Sequence, residues 1–275
     1  MKKLLMFAVA VIWAVNAAGQ QYEWETIKMD GSRTGCSVPS KDNVAEALGT
    51  FKGKTYIAPN GKKFPAGSAA AKVARIVMDA QPAMARVKDV IAYSPEAMTK
   101  QYPEGPLSNW FIDLVMAKVE SISGKKVHIG VGNYGGIRVD MPEGDVILDD
   151  MLSMFPFKNQ LVYVEHKGST IRKMLEEMAA GRFQVLGGVR VVAQDGKIVS
   201  AEIAGEPLDD DKIYGVATIS FLLKGGDGLY LGRDAVSLEH YDVDIIDAVL
   251  EHVYAETAAG RPIVSKADGR VVIRK

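Results

Sequence analysis

The sequence predicts an α+β fold, a mixed β-sheet with packed helices, and three observations carry that reading. Amphipathic helical stretches and short β-branched runs interleave, but without the strict strand–helix–strand alternation of an all-parallel sheet. The turn Gln194-Asp195-Gly196-Lys197 lies between apolar runs at 188–193 and 198–203, an Asp-Gly hairpin signal that demands an antiparallel pair. The chain has 275 residues, 48% of them hydrophobic and 24% charged, sufficient for one large core or two small ones.

The first eighteen residues read as a secretory signal peptide. Lys2 and Lys3 precede an apolar run from Leu4 to Val15, and the small residues Asn16, Ala17 and Ala18 follow. The run is too short to span a bilayer as an anchor. The expectation is export, to the periplasm or the medium, with no membrane span. Residues 19–66 are rich in Gly, Lys, Ser and Pro and read as an irregular, hairpin-containing leader, with Thr55–Ala58 a candidate strand. The single cysteine, Cys36, permits no internal disulfide and has no local base to activate it. A formal charge of −1 provides no basic field for a nucleic-acid polymer.

Residues 67–275 read as the main domain. Val73, Ile76, Val77 and Ala80 give a helical stripe that Pro82 kinks or stops. A strand follows at 87–92, and Ser94-Pro95-Glu96 signals a helix start. Leu107, Phe111, Leu114, Val115, Val119 and Ile122 form one apolar stripe closed by Gly124. Strands are expected at 126–131, 161–165, 213–219 and 270–273, and helices at 149–155, 169–178 and 242–254.

Three short segments carry chemistry. In Asn133-Tyr134-Gly135-Gly136-Ile137-Arg138, the glycines let the backbone approach a ligand, Arg138 offers a planar fork, and Asn133 offers a donor and an acceptor. Taken alone, the segment reads more readily as a tight loop with Arg138 in a structural ion pair. Phe157, fixed behind Pro156, and Phe221, at the end of a strand, are two aromatics that can stack on a base; in isolation, both also read as core. In Gly225-Gly226-Asp227-Gly228, Gly226 and its neighbours free the backbone path, and Asp227 presents a carboxylate suited to a ribose diol, or to a plain turn.

In this order, the segments resemble the C-terminal, nucleotide-recognising domain of the 5'-nucleotidase and UDP-sugar hydrolase family. The resemblance covers roughly residues 73–275. Pro106-Leu107-Ser108-Asn109-Trp110-Phe111-Ile112-Asp113 is similar to the first long helix of that domain, with Ser108 where the family has Gly. Phe183-Gln184-Val185-Leu186-Gly187-Gly188 is similar to its Gln-Val-Ser-Gly strand. The resemblance implies that Asn133, Gly135, Gly136 and Arg138 meet base, ribose or phosphate. It implies that Phe157 and Phe221 stack on the base and that Gly226 and Asp227 hold the ribose. Family members place one or two arginines just before the helix; here the stretch reads Met98-Thr99-Lys100-Gln101-Tyr102-Pro103-Glu104, with Lys100 a point charge in their place.

In the family, catalysis belongs to a preceding domain that binds two metals through Asp-x-His and Gly-Asn-His-Asp/Glu patterns. None of His128, His166, His240 and His252 lies in such a pattern. The resemblance therefore implies nucleotide catabolism as the setting and no catalytic residue or cofactor in this chain. Divalent metals are expected only in a partner metallophosphoesterase chain. Two alternatives remain: a stand-alone nucleoside- or nucleotide-binding protein, and a degenerate interaction module.

Overall fold

The computed structural model describes residues 44–274. The candidate signal peptide, Cys36 and most of the leader lie outside the described residues. Two compact units are present, parting between Gln81 and Pro82.

In the first unit, α1 (Val44–Leu48) leads into three antiparallel strands, β1 (Thr50–Lys52), β2 (Thr55–Ile57) and β3 (Lys63–Pro65). Its small core is aromatic. Tyr56 is buried, its ring lies 5.1 Å from that of Phe51 and 6.1 Å from that of Phe64, and its hydroxyl donates to the Leu48 carbonyl. Ser68 Oγ accepts from the Ala71 amide, capping α2 (Ala69–Met84). From α2, Arg75 places its guanidinium 3.8 Å from the Phe51 ring centre. Pro82 lies inside the helix and does not stop it there; after Met84 the chain passes directly into a 3₁₀ turn.

The second unit has the expected α+β architecture. A five-stranded sheet runs in the order β13 (Ser237–Asp244), β7 (Gln160–Lys167), β12 (Ile213–Ile219), β5 (Ile129–Gly132), β8 (Val185–Gly187). Only β5 and β12 are parallel neighbours; the other pairs are antiparallel, so the sheet is mixed. A four-stranded sheet holds β11 (Glu206–Pro207), β10 (Lys197–Ile203), β9 (Val189–Gln194) and β14 (Val271–Arg274). Its β9–β10 hairpin turns at Asp195 and Gly196, both with positive φ, as the Asp-Gly signal requires. β4 (Val90–Ser94) pairs with β6 (Gly144–Ile147).

The core is organised around α3 (Pro106–Ser123), which buries Leu107, Phe111, Ile112, Val115 and Val119. α3 packs on β5, β8 and β12, and the contact is close enough to dictate sequence. A Cβ on Gly130 would lie 2.6 Å from Ile112 Cγ1, so only glycine lets the helix settle on β5. At the helix start, Ser108 Oγ accepts from the Gly105 amide, a bond that glycine at 108 would lack. Gly124 ends the helix in the left-handed conformation. The remaining helices are α4 (Leu148–Met154), α5 (Gly168–Ala180) and α6 (Ile245–Ala258).

Three sequence expectations are corrected. Ser94-Pro95-Glu96 starts no helix: Ser94 ends β4, and its buried hydroxyl donates to the carbonyls of Glu96 and Ile263. The strand expected at 87–92 begins only at Val90, after a 3₁₀ turn at Ala85–Lys88. The helix expected from 242 starts at Ile245, because residues 237–244 form the edge strand β13.

Candidate functional site

The topology brings the three segments to one edge of the five-stranded sheet. β5 and β12 run parallel, with Val216 opposite Ile129, so their C-terminal ends emerge together. β7 is antiparallel to β12, with Leu161 opposite Ile219, so the start of β7 reaches the same edge. Asn133 directly follows β5, Phe221 lies in the 3₁₀ turn Ser220–Leu223 after β12, and Phe157 stands three residues before β7. The Ser220 hydroxyl accepts from the Gln160 amide and ties two of these ends together.

Asn133 and Asp227 meet there although 94 residues separate them. The Asn133 side-chain amide donates to Asp227 Oδ2 at 2.7 Å. Asn133 is only 4% exposed, and its Oδ1 has no protein partner. A buried acceptor of this kind demands a donor, because leaving it unpaired costs about 1–3 kcal/mol. Gly136 makes room for it: a Cβ at that position would lie 2.7 Å from Oδ1. Gly135 lies beside the same pair, 3.4 Å from Nδ2 and 3.5 Å from Asp227 Oδ2 by the same measure.

Asp227 sits in a 3₁₀ turn, Gly226–Gly228, with its own φ at +47°. That conformation suits Asp better than a branched residue and aims the carboxylate out of the turn. Gly226 presses on Phe221, where a Cβ would approach the Phe221 carbonyl to 2.3 Å and the ring to 2.6 Å. The aromatic and the acid are therefore set by one tight loop.

Phe157 is 46% exposed and Phe221 45% exposed, so neither is core. Arg138 is also exposed; its guanidinium lies 5.8 Å from the Phe157 ring centre, and its Nη1 donates to the Gly135 carbonyl. The Arg138 amide donates to Met154 O at the end of α4, which holds this part of the loop. No carboxylate pairs with Arg138 among the described residues, which removes the structural ion-pair reading.

On the other flank of the loop, sequence reasoning singled out Lys100 and gave no role to Tyr102, Tyr134 or Arg182. Lys100 donates through Nζ to the Ile137 carbonyl, next to Arg138. Tyr134 donates its hydroxyl to Pro103 O at 2.7 Å, and burial pushes that hydroxyl up to about 12. The Arg182 guanidinium stacks 5.0 Å from the Tyr102 ring centre and 5.8 Å from that of Tyr134. Gln184 Oε1 accepts from the Tyr134 amide. Arg182 directly precedes the quoted strand segment, but no local pattern distinguishes it from a surface arginine.

No group of three or more His, Cys, Asp or Glu side chains converges to hold a metal among the described residues. His128 and His166 are held by main-chain groups, Gly215 N and Leu231 O respectively. No helix among the described residues is long and apolar enough to cross a membrane.

Comparison with known proteins agrees with the architecture. The UshA protein of Yersinia enterocolitica is 42% identical over 128 residues, covering 44% of this chain and 23% of that protein. The NAD 5'-nucleotidase of Haemophilus influenzae is 31% identical over 146 residues, 46% of this chain and 24% of that protein. The chain thus spans about a fifth to a quarter of the length of these curated relatives. The crystal structure of a 5'-nucleotidase precursor from Thermus thermophilus superposes with a TM-score of 0.64 at 24% identity, covering 74% of this chain and 43% of that one, a likeness of fold. The sequence profile of the 5'-nucleotidase, C-terminal domain family matches residues 83–233, more than half of the chain. With that match, and with the mixed sheet that gathers its three signature segments at one edge, the chain belongs to the 5'-nucleotidase C-terminal domain family.

Proposed function

We propose that this chain is the exported nucleotide- or nucleoside-recognition domain of a 5'-nucleotidase-type hydrolase in nucleotide catabolism. The base stacks between Phe157 and Phe221. Asp227 holds the ribose hydroxyls, and Asn133 accepts a donor from the ligand through its free Oδ1. Arg138, with the glycine turn at Gly135 and Gly136, lines the ribose or phosphate side. A separate metallophosphoesterase chain supplies the metals and the hydrolytic water.

One observation carries the reading. A buried Asn–Asp pair with an unsatisfied acceptor stands at a sheet edge flanked by two half-exposed phenylalanines. Core packing does not require such an arrangement; a flat ligand with a polar edge does. The names of relatives such as NAD 5'-nucleotidase and trifunctional nucleotide phosphoesterase support the ligand class.

Calorimetric titration with adenosine, AMP and UDP-glucose tests it, beside Phe157→Ala and Phe221→Ala. Each aromatic should contribute roughly 1–3 kcal/mol of binding. Failure of all three ligands to bind would refute recognition by the isolated chain.

A further inference from the structure

A cavity of mixed polar and apolar lining lies elsewhere on the domain, between α5, β7 and the segment 229–234. Its volume is about 140 Å³. His166 lines it near the end of β7 opposite Gln160, six residues or roughly 20 Å along the strand from the edge that carries Asn133. A single water needs about 10–15 Å³ of such space, so the cavity accepts a molecule of roughly ten heavy atoms.

The deepest polar group is His166, 2% exposed. Its Nε2 lies 2.9 Å from the Leu231 carbonyl, which only accepts, so Nε2 carries the hydrogen. Burial favours the neutral ring, against a weaker upward pull from the Leu231 and Asp234 backbone. Nδ1 is then a bare lone pair, buried and without a protein partner. A ligand seated here must bring a donor to it.

The rim is built differently. Thr170, Lys173 and Glu177 lie on one face of α5, and Arg233 and Asp234 come from the facing segment. Among the described residues, none of these four charged side chains has an ion-pair partner. Two cations and two anions sum to no net charge, which favours a neutral ligand. Arg233 is stacked 4.4 Å from the Tyr230 ring centre, which steadies its fork. The deep end of the ligand meets His166 Nδ1, which only accepts, so the group seated there is a donor. Hydroxyl groups, which both donate and accept, match the whole set.

We propose that this cavity is a binding site for a neutral polyhydroxylated molecule of pentose or hexose size, one hydroxyl donating to His166 Nδ1 and the others meeting the α5 face and Arg233. The site is distinct from the base-recognition edge and does not depend on its assignment.

Calorimetry of the chain with D-ribose, D-glucose and glycine, joined to long-range ¹H–¹⁵N NMR of the His166 ring, tests it. At least one sugar should bind in the millimolar range or tighter and move the Nδ1 resonance upfield from its unprotonated position. Glu177→Gln and Thr170→Val, both away from the core, should each weaken sugar binding about tenfold. Phe221→Ala should leave it unchanged. No heat and no Nδ1 shift at sugar concentrations well above millimolar overturns the site. Binding of glycine alone overturns the ligand class, and sugar binding untouched by both variants overturns the location.

Discussion

The side chains of Asn133 and Asp227 form a hydrogen bond of 2.7 Å that joins the two loops leaving the parallel strands β5 and β12. The bond uses the donor of Asn133 and leaves its acceptor free in a nearly closed environment. Asp227 thus has two separable duties: it satisfies a buried amide, and it presents a charge at an exposed turn. Asp227→Ala removes both and leaves the amide unpaired, so unfolding in urea should show a loss of about 1–3 kcal/mol. Asp227→Asn keeps an oxygen for Asn133 and should stay within about 0.5 kcal/mol of wild type. Its ligand affinity should nevertheless fall by about tenfold or more, because the charged acceptor is gone. Equal stability losses in both variants would contradict the division.

Phe157 and Phe221 permit a sharper separation of core from site. A buried Phe→Ala costs about 3–5 kcal/mol of stability. Rings with close to half their surface in solvent should cost far less, about 1 kcal/mol or below. The expected pattern is near-normal urea midpoints with weakened base binding. The opposite pattern, a large stability loss with binding intact, would return both residues to a packing role.

Much of this fold is legible in the sequence, and the gaps have physical causes. The α3 stripe, the Asp-Gly hairpin and the strand at 213–219 were readable because each is fixed by local periodicity or turn chemistry. β13 was not, since Ser237-Leu238-Glu239-His240 carries no apolar face. That edge strand is held by its pairing with β7, by Tyr241 and Val243 packed against the core further along it, and by polar contacts such as Lys125 with Glu239. The segments containing Asn133, Phe157 and Asp227 could be picked out, but their meeting came only from the family resemblance and not from any local pattern. The meeting follows from a parallel pairing between strands more than 80 residues apart. The Arg182 stack on Tyr102 and Tyr134 was illegible for the same reason: its partners come from two distant loops.

Gly226 supplies a steric prediction. Gly226→Ala drives a methyl group to within 2.3 Å of the Phe221 carbonyl, and the obstacle is backbone. Overpacking of this kind typically costs about 1–3 kcal/mol. Gly144→Ala provides the control: φ there is +93°, yet nothing lies within 4 Å of the added carbon. Both variants should lose stability, but only Gly226→Ala should also lose base binding, because it displaces Phe221 and Asp227 together. Retained binding in Gly226→Ala would show that the loop yields without moving the site.

Arg270 anchors the second unit away from that site. It is 9% exposed and pairs through two nitrogens with Asp113 and through two with Asp268. Glu104 joins the group by accepting from the Gly269 amide at 2.6 Å. Arg270→Met strands carboxylates beside an apolar replacement and should cost about 3 kcal/mol, the low end for breaking a buried pair because Asp113 and Asp268 remain partly solvated. Its hydrogen bonds with Arg270 hold Asp268 below the usual carboxylate range. That contribution is present above the unfolded pKa of about 3.9 and is lost as pH falls through the lower folded value. Urea midpoints near neutral pH and in acid should therefore lie closer together in Arg270→Met than in wild type.

His128 sets a second pH window, nearer neutrality. Its Nδ1 accepts from the Gly215 amide at 3.0 Å, so a proton on that nitrogen would oppose two N–H groups and break the bond. Burial lowers the His128 pKa first, with the charges of Lys212 and Lys126 adding to it against a small opposing pull from Glu120. Burial also lowers His166 and His252. A histidine with a depressed folded pKa binds its proton more readily in the unfolded chain. Stability is therefore full above the unfolded value of about 6.5 and declines as pH drops through the lower folded values. Urea midpoints measured from pH 8 down to pH 5 should fall over the lower part of that range. His128→Asn supplies a side-chain carbonyl for Gly215 and cannot titrate, so its decline should be shallower. A flat wild-type profile, or identical slopes in the two proteins, would show that the Gly215 bond does not couple folding to proton uptake.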